Sequence, residues 1–358
     1  PFRMLSEEGF LAKTKIWCNY LPPEEMNHGK NKTRNFVSDN GNYKNDIRRF
    51  LKGDEGIIND VLADQRRNPT DHGVINYLAD YDGFSLYDCV SYERKHNEAN
   101  GEDNQDGTDY NFTWNCGVEG ETRKNAILEL RLKQMKNALS FLLLSQGTPF
   151  LFGGDEFANT RNGNNNCYCQ DNAVGWVKWK QTRFTDEILR YTRFLIRVRK
   201  KYRTLHQKEE LKVMDTRSCG YPDISYHGTE AWRPDLSYIS RIAGFMLCGQ
   251  YAGDEPFFYI ACNMHWLPHQ LALPKLPPDQ MWIKISDTAQ TCEERKAEGN
   301  ADYTAEDGKT EDFIQAGDVA DVLARSICVY RSVLVKTEKK KRKGASRKSR
   351  SKSRGSDQ

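Results

Sequence analysis

Val74-Ile75-Asn76-Tyr77-Leu78-Ala79-Asp80-Tyr81-Asp82-Gly83 is the stretch on which the fold turns. It runs apolar without alternating and then meets two carboxylates and a glycine. Strands buried on both faces have this texture, because neither side chain direction points to water. A second segment repeats the pattern: Thr148-Pro149-Phe150-Leu151-Phe152 runs into Gly153-Gly154-Asp155-Glu156. Carboxylates just beyond the C-terminal ends of buried parallel strands are what the active face of a (β/α)8 barrel presents.

Between the two strands the spacing of Leu128, Met135, Leu139 and Leu142 predicts a helix over about 125–145, with Gly147 as its stop. A second helix is expected from Thr185, read as the N-cap, to Tyr202. Ile188, Tyr191, Leu195, Val198 and Tyr202 form its apolar stripe, and basic residues gather at its C-terminal end, where the helix dipole favours them. Past about residue 205 the texture changes to short β-rich runs at 256–262, 269–273, 281–285 and 326–331, separated by Pro and Gly turns. The expected fold class is therefore α/β plus all-β. Residues 1–205 supply the C-terminal half of a (β/α)8 TIM barrel, 206–335 an antiparallel β-sandwich, and 336–358 a disordered Lys/Arg/Ser tail.

The bulk composition agrees. At 358 residues the chain is long enough for two cores, and 38% hydrophobic with 29% charged residues is a soluble globular balance. No run of about 18 apolar residues is present, so no membrane helix is expected. The first residue is Pro1 with no apolar signal stretch after it, and we expect a longer chain to precede it. Ten scattered cysteines read as reduced thiols, which places the protein in a cytoplasm. Cys167 and Cys169 lack zinc-knuckle spacing, and His265 and His269 have Pro268 between them and no acid beside them. No metal and no cofactor are expected. Residues 336–358 hold eleven basic and two acidic residues, leaving a body with 42 basic and 48 acidic ones. The tail is a generic polycation without an aromatic for base stacking. Contact with a polyanion such as nucleic acid is one reading of it, and a solvated tail is the other.

The stretch 76–84 resembles the seventh-strand signature of isoamylase-type glycogen-debranching enzymes, members of the alpha-amylase superfamily. His96-Asn97-Glu98-Ala99-Asn100-Gly101-Glu102 and Trp114-Asn115-Cys116-Gly117-Val118-Glu119-Gly120 are similar to the long loop of that group. Ser145 through Phe157 looks like its eighth strand, and Gly163-Asn164-Asn165-Asn166 with Tyr168-Cys169-Gln170-Asp171-Asn172 continues the match. The resemblance covers about residues 10–335. It implies a glycoside hydrolase acting by a retaining mechanism on α-1,6 branch points, with glycogen or a branched α-glucan as partner.

That chemistry needs a carboxylate nucleophile, a protonated acid and a third carboxylate that holds sugar hydroxyls as the ring flattens. The resemblance makes Asp82 the third carboxylate, although Asp82-Gly83 is also an ordinary turn pair. The nucleophile strand would precede this sequence. The acid/base position falls on Asn19, after Thr14-Lys15-Ile16-Trp17-Cys18, and an amide can neither donate nor accept that proton. Glu24 and Glu25 lie nearby but several residues off. Tyr81 stands where the family usually has His. Substrate contacts are expected at Tyr81, Asn97, Trp114, Asn115, Asp155, Glu156, Asn166 and Tyr168, with a packed structural loop as the alternative for those between 91 and 121. The 102–113 stretch fails as an EF-hand, having Glu102 first and Thr113 twelfth. Three functions stay open: branch-point hydrolysis, a catalytically inactive glucan-binding pseudoenzyme, and polyanion association through the tail.

Overall fold

The computed structural model of the chain describes residues 8–11, 14–18, 36–70, 72–297 and 318–335. Asn19, Glu24, Glu25 and the basic tail lie outside the described residues. Four parallel strands form one sheet in chain order: β1 (Ile16–Trp17), β2 (Phe36–Asp39), β3 (Gly73–Asn76) and β4 (Thr148–Pro149). Ile16 faces Phe36, Val37 faces Gly73 and Ile75 faces Thr148. Neighbours that follow one another in sequence need crossover connections. The described ones are helical: α1 (Tyr43–Lys52) and α2 (Ile58–Arg66) after β2, then α3 (Leu86–Cys89) and α4 (Asn125–Leu144) after β3.

The two apolar runs are shorter as strands than as sequence. β3 stops at Asn76, a fully buried amide within the run. Its side chain accepts from Asn40 Nδ2 at 2.7 Å and donates to the Gln146 carbonyl at 2.6 Å. A buried amide must find such partners, and here they tie the ends of β2, β3 and α4 together. Beyond it the Leu78 carbonyl turns to the Arg48 guanidinium of α1, 3.0 Å away.

α5 (Arg183–Lys201) is capped three residues earlier than the sequence suggests. Thr182, not Thr185, is the N-cap. The two threonines bond each other's backbone N–H, at 3.1 Å and 2.9 Å, in a reciprocal capping box in which Thr185 takes the role usually held by Glu. The stripe Ile188, Tyr191, Leu195 and Val198 is buried as expected.

The C-terminal region holds a five-stranded antiparallel sheet ordered β5 (Ile224–His227), β6 (Ile242–Leu247), β7 (Phe258–Asn263), β11 (Ser326–Leu334) and β9 (Gln280–Asp287). β8 (His269–Ala272) and β10 (Val319–Val322) pair separately, and α6 spans Cys292–Ala297. Side chains alternate across the large sheet with period two. Phe245, Ile260, Cys262, Ile327 and Val329 join the core of α4 and α5, whereas Met246, Tyr259, Ala261, Cys328 and Tyr330 pack with Leu271, Ala320 and Val322 of the small sheet.

α4 explains how the two regions hold together. From Gln134 to Leu144 every residue is buried, polar ones included. The helix packs against α1 and α5 and is also reached by the β region. Lys133 donates to the Ala324 carbonyl at 2.8 Å and Asn137 to the Arg325 carbonyl at 2.9 Å. Lys136 and Glu187 form a buried ion pair there, and Glu187 also accepts the Cys292 N–H at 3.0 Å. Among the described residues no helix is long and apolar enough to cross a membrane.

Candidate active-site rim

The C-terminal ends of the parallel strands carry a cluster of half-buried rings. Trp17 of β1 lies 5.4 Å from Tyr77 and 5.1 Å from Phe150, ring centre to ring centre. Asp39, the last residue of β2, accepts from Trp17 Nε1 at 2.6 Å and from the Tyr77 hydroxyl at 3.2 Å. Burial, with Asp39 next to it, pushes the Tyr77 phenol well up, so it stays a donor. Lys44 sits 5.2 Å over the Tyr77 ring and 3.6 Å from Asp80. Asp80 is raised by burial, against the pull of Lys44 and Arg48.

Asp80 shapes the next turn. Its Oδ1 accepts the Asp82 N–H at 3.1 Å, and Gly83 adopts a φ of +149°, in the range that favours glycine. Both Tyr81 and Asp82 are exposed, the tyrosine by 67%. Asp82 thus stands exposed in a turn built by its neighbours.

Other expected contacts sit in very different surroundings. Asp155 is 3% exposed and accepts the Leu86 N–H at 2.8 Å; burial pushes its carboxyl up to about 7. Glu156 accepts the Gly154 N–H at 2.8 Å. Asn97 is fully buried and bonds Asp106 and Asn165, and Asn166 donates to Asp106 at 2.9 Å. Asn115 donates to Glu119 at 3.0 Å. Burial alone would raise Glu119, but the N–H groups of Glu93 and Arg94, with Asn115 and His96, hold it lowered. Trp114 is half-buried, with the Arg325 guanidinium 5.0 Å over its ring. Tyr168 is 69% exposed and donates to Glu102. The structure therefore brings Tyr81 and Asp82 together at the strand ends. It ties Asn97, Asn166 and Tyr168 into contacts between the loop after β3 and the loop after β4.

Sequence reasoning missed the ring cluster, Asp39, Asp88 and Arg161. Asp39 had a signal, since Phe36-Val37-Ser38-Asp39 is a short strand ending in a carboxylate. Asp88 is fully buried and pushed up to about 6 by burial, held back by bonds from Thr160 and Arg161. Nothing in the pattern around it or around Arg161 distinguishes them from solvated charges. Among the described residues, no group of three His, Cys, Asp or Glu could hold a metal ion.

The family model for the C-terminal region of isoamylases 1–3 matches residues 225–296. The chain is 33% identical over 259 residues to chloroplastic isoamylase 1 of Oryza sativa subsp. japonica, covering 70% of this chain and 31% of that protein. It is 34% identical over 361 residues to the glycogen operon protein GlgX homologue of Mycobacterium bovis, covering 93% of this chain and 47% of that one. The chain thus spans less than half the length of either relative. Among solved structures, the pullulanase from Bacillus acidopullulyticus superposes with a TM-score of 0.54 at 15% identity, covering 83% of this chain and 30% of that one. At that identity the likeness speaks for the fold alone: an alpha-amylase-type fold with an added sheet domain. By these matches the chain is similar to part of the isoamylase-type debranching proteins of the alpha-amylase superfamily.

Proposed function

We propose that this chain serves in the debranching of glycogen or a related α-glucan, by retaining hydrolysis of α-1,6-glucosidic bonds. In this reading residues 1–205 are the C-terminal half of a (β/α)8 barrel and 206–335 a β-sandwich. Asp82 is the carboxylate that binds sugar hydroxyls as positive charge develops on the ring. The observation that carries the reading is the strand-end face itself. Exposed Asp82 and Tyr81 follow the half-buried Trp17, Tyr77 and Phe150 rings, linked to them through Asp80 and Lys44. Apolar ring faces beside a carboxylate suit a sugar, which offers C–H faces and hydroxyl edges.

Asn19 favours a second reading. An amide at the acid/base position cannot protonate a leaving oxygen, so a glucan-binding protein without turnover is the alternative. Incubation with glycogen, with release of reducing ends and co-sedimentation both measured, separates the two. Binding with release supports hydrolysis, and binding without release supports the pseudoenzyme. Neither binding nor release overturns the glucan assignment.

A further inference from the structure

The turn that presents Asp82 is not held by its own strand alone. Arg161, 8% exposed, comes from the loop after β4 and reaches across to the loop after β3. Its Nη1 donates to the carbonyls of Tyr81 at 3.3 Å and Gly83 at 3.4 Å, the two residues flanking Asp82. The guanidinium is itself fixed. It lies 4.7 Å from the Phe152 ring centre, and the Arg161 N–H donates to Asp88 Oδ2 at 2.8 Å. Asp88 also takes the Thr160 hydroxyl, and Ser85 bonds the Asn159 carbonyl at 2.7 Å. Residues 155–161 are thereby stitched to residues 85–88, immediately after the Asp82 turn.

An arginine has donors enough to satisfy carboxylates, yet this one brackets a peptide turn with one nitrogen. Two backbone carbonyls two positions apart in a glycine-containing turn lie outside the strand ladder, so a fixed donor between them limits how the intervening side chain can swing. We propose that Arg161 is a positioning residue for Asp82, setting the direction of that carboxylate by holding the carbonyls on either side of it. The inference rests on the role of Asp82 proposed above. It differs from a merely structural role in what it predicts: loss of Arg161 disorders the turn and lowers turnover while leaving glucan affinity nearly unchanged. Misplacing a reacting group by about 1 Å can cost on the order of 100-fold in rate.

The test pairs a backbone readout with a kinetic one. Hydrogen exchange over residues 80–84 is compared for the wild-type protein, Arg161→Gln and Arg161→Lys. Ser140→Ala, remote from the rim, serves as a control that lowers stability by removing a buried bond to Tyr191. Exchange is expected to quicken about tenfold or more in Arg161→Gln, less in Arg161→Lys, and not in Ser140→Ala. On a branched α-glucan, kcat is expected to fall about 10- to 100-fold in Arg161→Gln with KM within about twofold. Adding Arg161→Gln to Asp82→Asn is expected to cost nothing further, because the two residues act as one unit. Unchanged exchange in both arginine variants, or losses that multiply in the double variant, overturns the inference. If Arg161→Gln does not fold, Arg161→Lys carries the same two readouts, since an ammonium cannot reproduce the fixed fork. Quickened exchange together with an Asp82→Asn variant that turns over and binds glucan like wild type has a different meaning. It leaves Arg161 as the residue that holds the turn and removes the role given to Asp82.

Discussion

Asn97 and Asn165, 68 positions apart, hold each other by both ends of one amide. Asn97 Nδ2 donates to Asn165 Oδ1 at 2.8 Å, and Asn97 Oδ1 accepts the Asn165 N–H at 3.0 Å. Around this pair, Asp106 Oδ2 collects Asn100 at 2.6 Å and Asn166 at 2.9 Å, while Asn164 donates to Asn100 Oδ1 at 2.8 Å. Two loops too long to have a core of their own are joined by amides. Each amide offers a donor and an acceptor in one plane, which suits a reciprocal clasp.

Asn165→Ala is therefore expected to loosen both loops at once. It takes one partner from the buried Asn97 amide, which keeps its bond to the Asp106 carbonyl, and leaves the buried Asn111 Oδ1 without this donor, at about 1–3 kcal/mol for each unsatisfied buried group. Thermal unfolding reads the overall loss. Limited proteolysis is expected to cut first within 98–110 and 160–172, and a variant as resistant as wild type there would show that the amide pair is dispensable.

A second expectation concerns the junction of α4, α5 and the β region. Lys136 and Glu187 are 1% and 9% exposed at the side chain. Removing one partner leaves the other charge buried and alone, which costs about 3–5 kcal/mol, whereas replacing both is often nearly neutral. Lys136→Met is expected to destabilise strongly, and Lys136→Met with Glu187→Gln to recover most of that loss, because a glutamine still accepts the Cys292 N–H. Denaturant unfolding of the cycle gives the coupling. Losses that simply add would mean that the pair is not what joins the regions.

β3 and β4, the two long helices and the β-rich second half were legible because each rests on a local pattern, an unbroken apolar run for the strands and helical spacing for the helices. Strand ends were not, since Asn76 ends β3 through contacts with Asn40 and Gln146 that lie far off in sequence. β5, β6 and β10 escaped notice for a related reason. Ile242–Leu247 is buried on both faces and so does not alternate, and Gly244 interrupts the β-branched and aromatic texture that marks a strand. At the rim, Asp82 was legible through resemblance, but the environment of the other candidates was not. Asp155 read as a polar group free to meet a ligand, and Asn97 as either that or part of a packed loop; both are enclosed by contacts between loops. A sequence shows a residue's bonding capacity and not which partners have already used it.

Asp155 gives a pH-dependent test of that enclosure. Burial raises its carboxyl to about 7, far above the roughly 3.9 of an unfolded chain. The folded state therefore keeps a proton that the unfolded state has released, and the stability this contributes is fully present below about pH 4. It is lost as pH rises through about 7, by an amount on the order of 4 kcal/mol if Asp155 titrates alone. Asp155→Asn is permanently neutral and keeps the acceptor for the Leu86 N–H. The variant is expected to match wild type near pH 4, to exceed it increasingly as pH rises from about 4 to 7, and to hold a constant lead above that, as followed by denaturant unfolding at each pH. A stability difference that stays flat over this range would mean that Asp155 is ionised in the folded protein throughout, and that its contact with Leu86 is accessible to water.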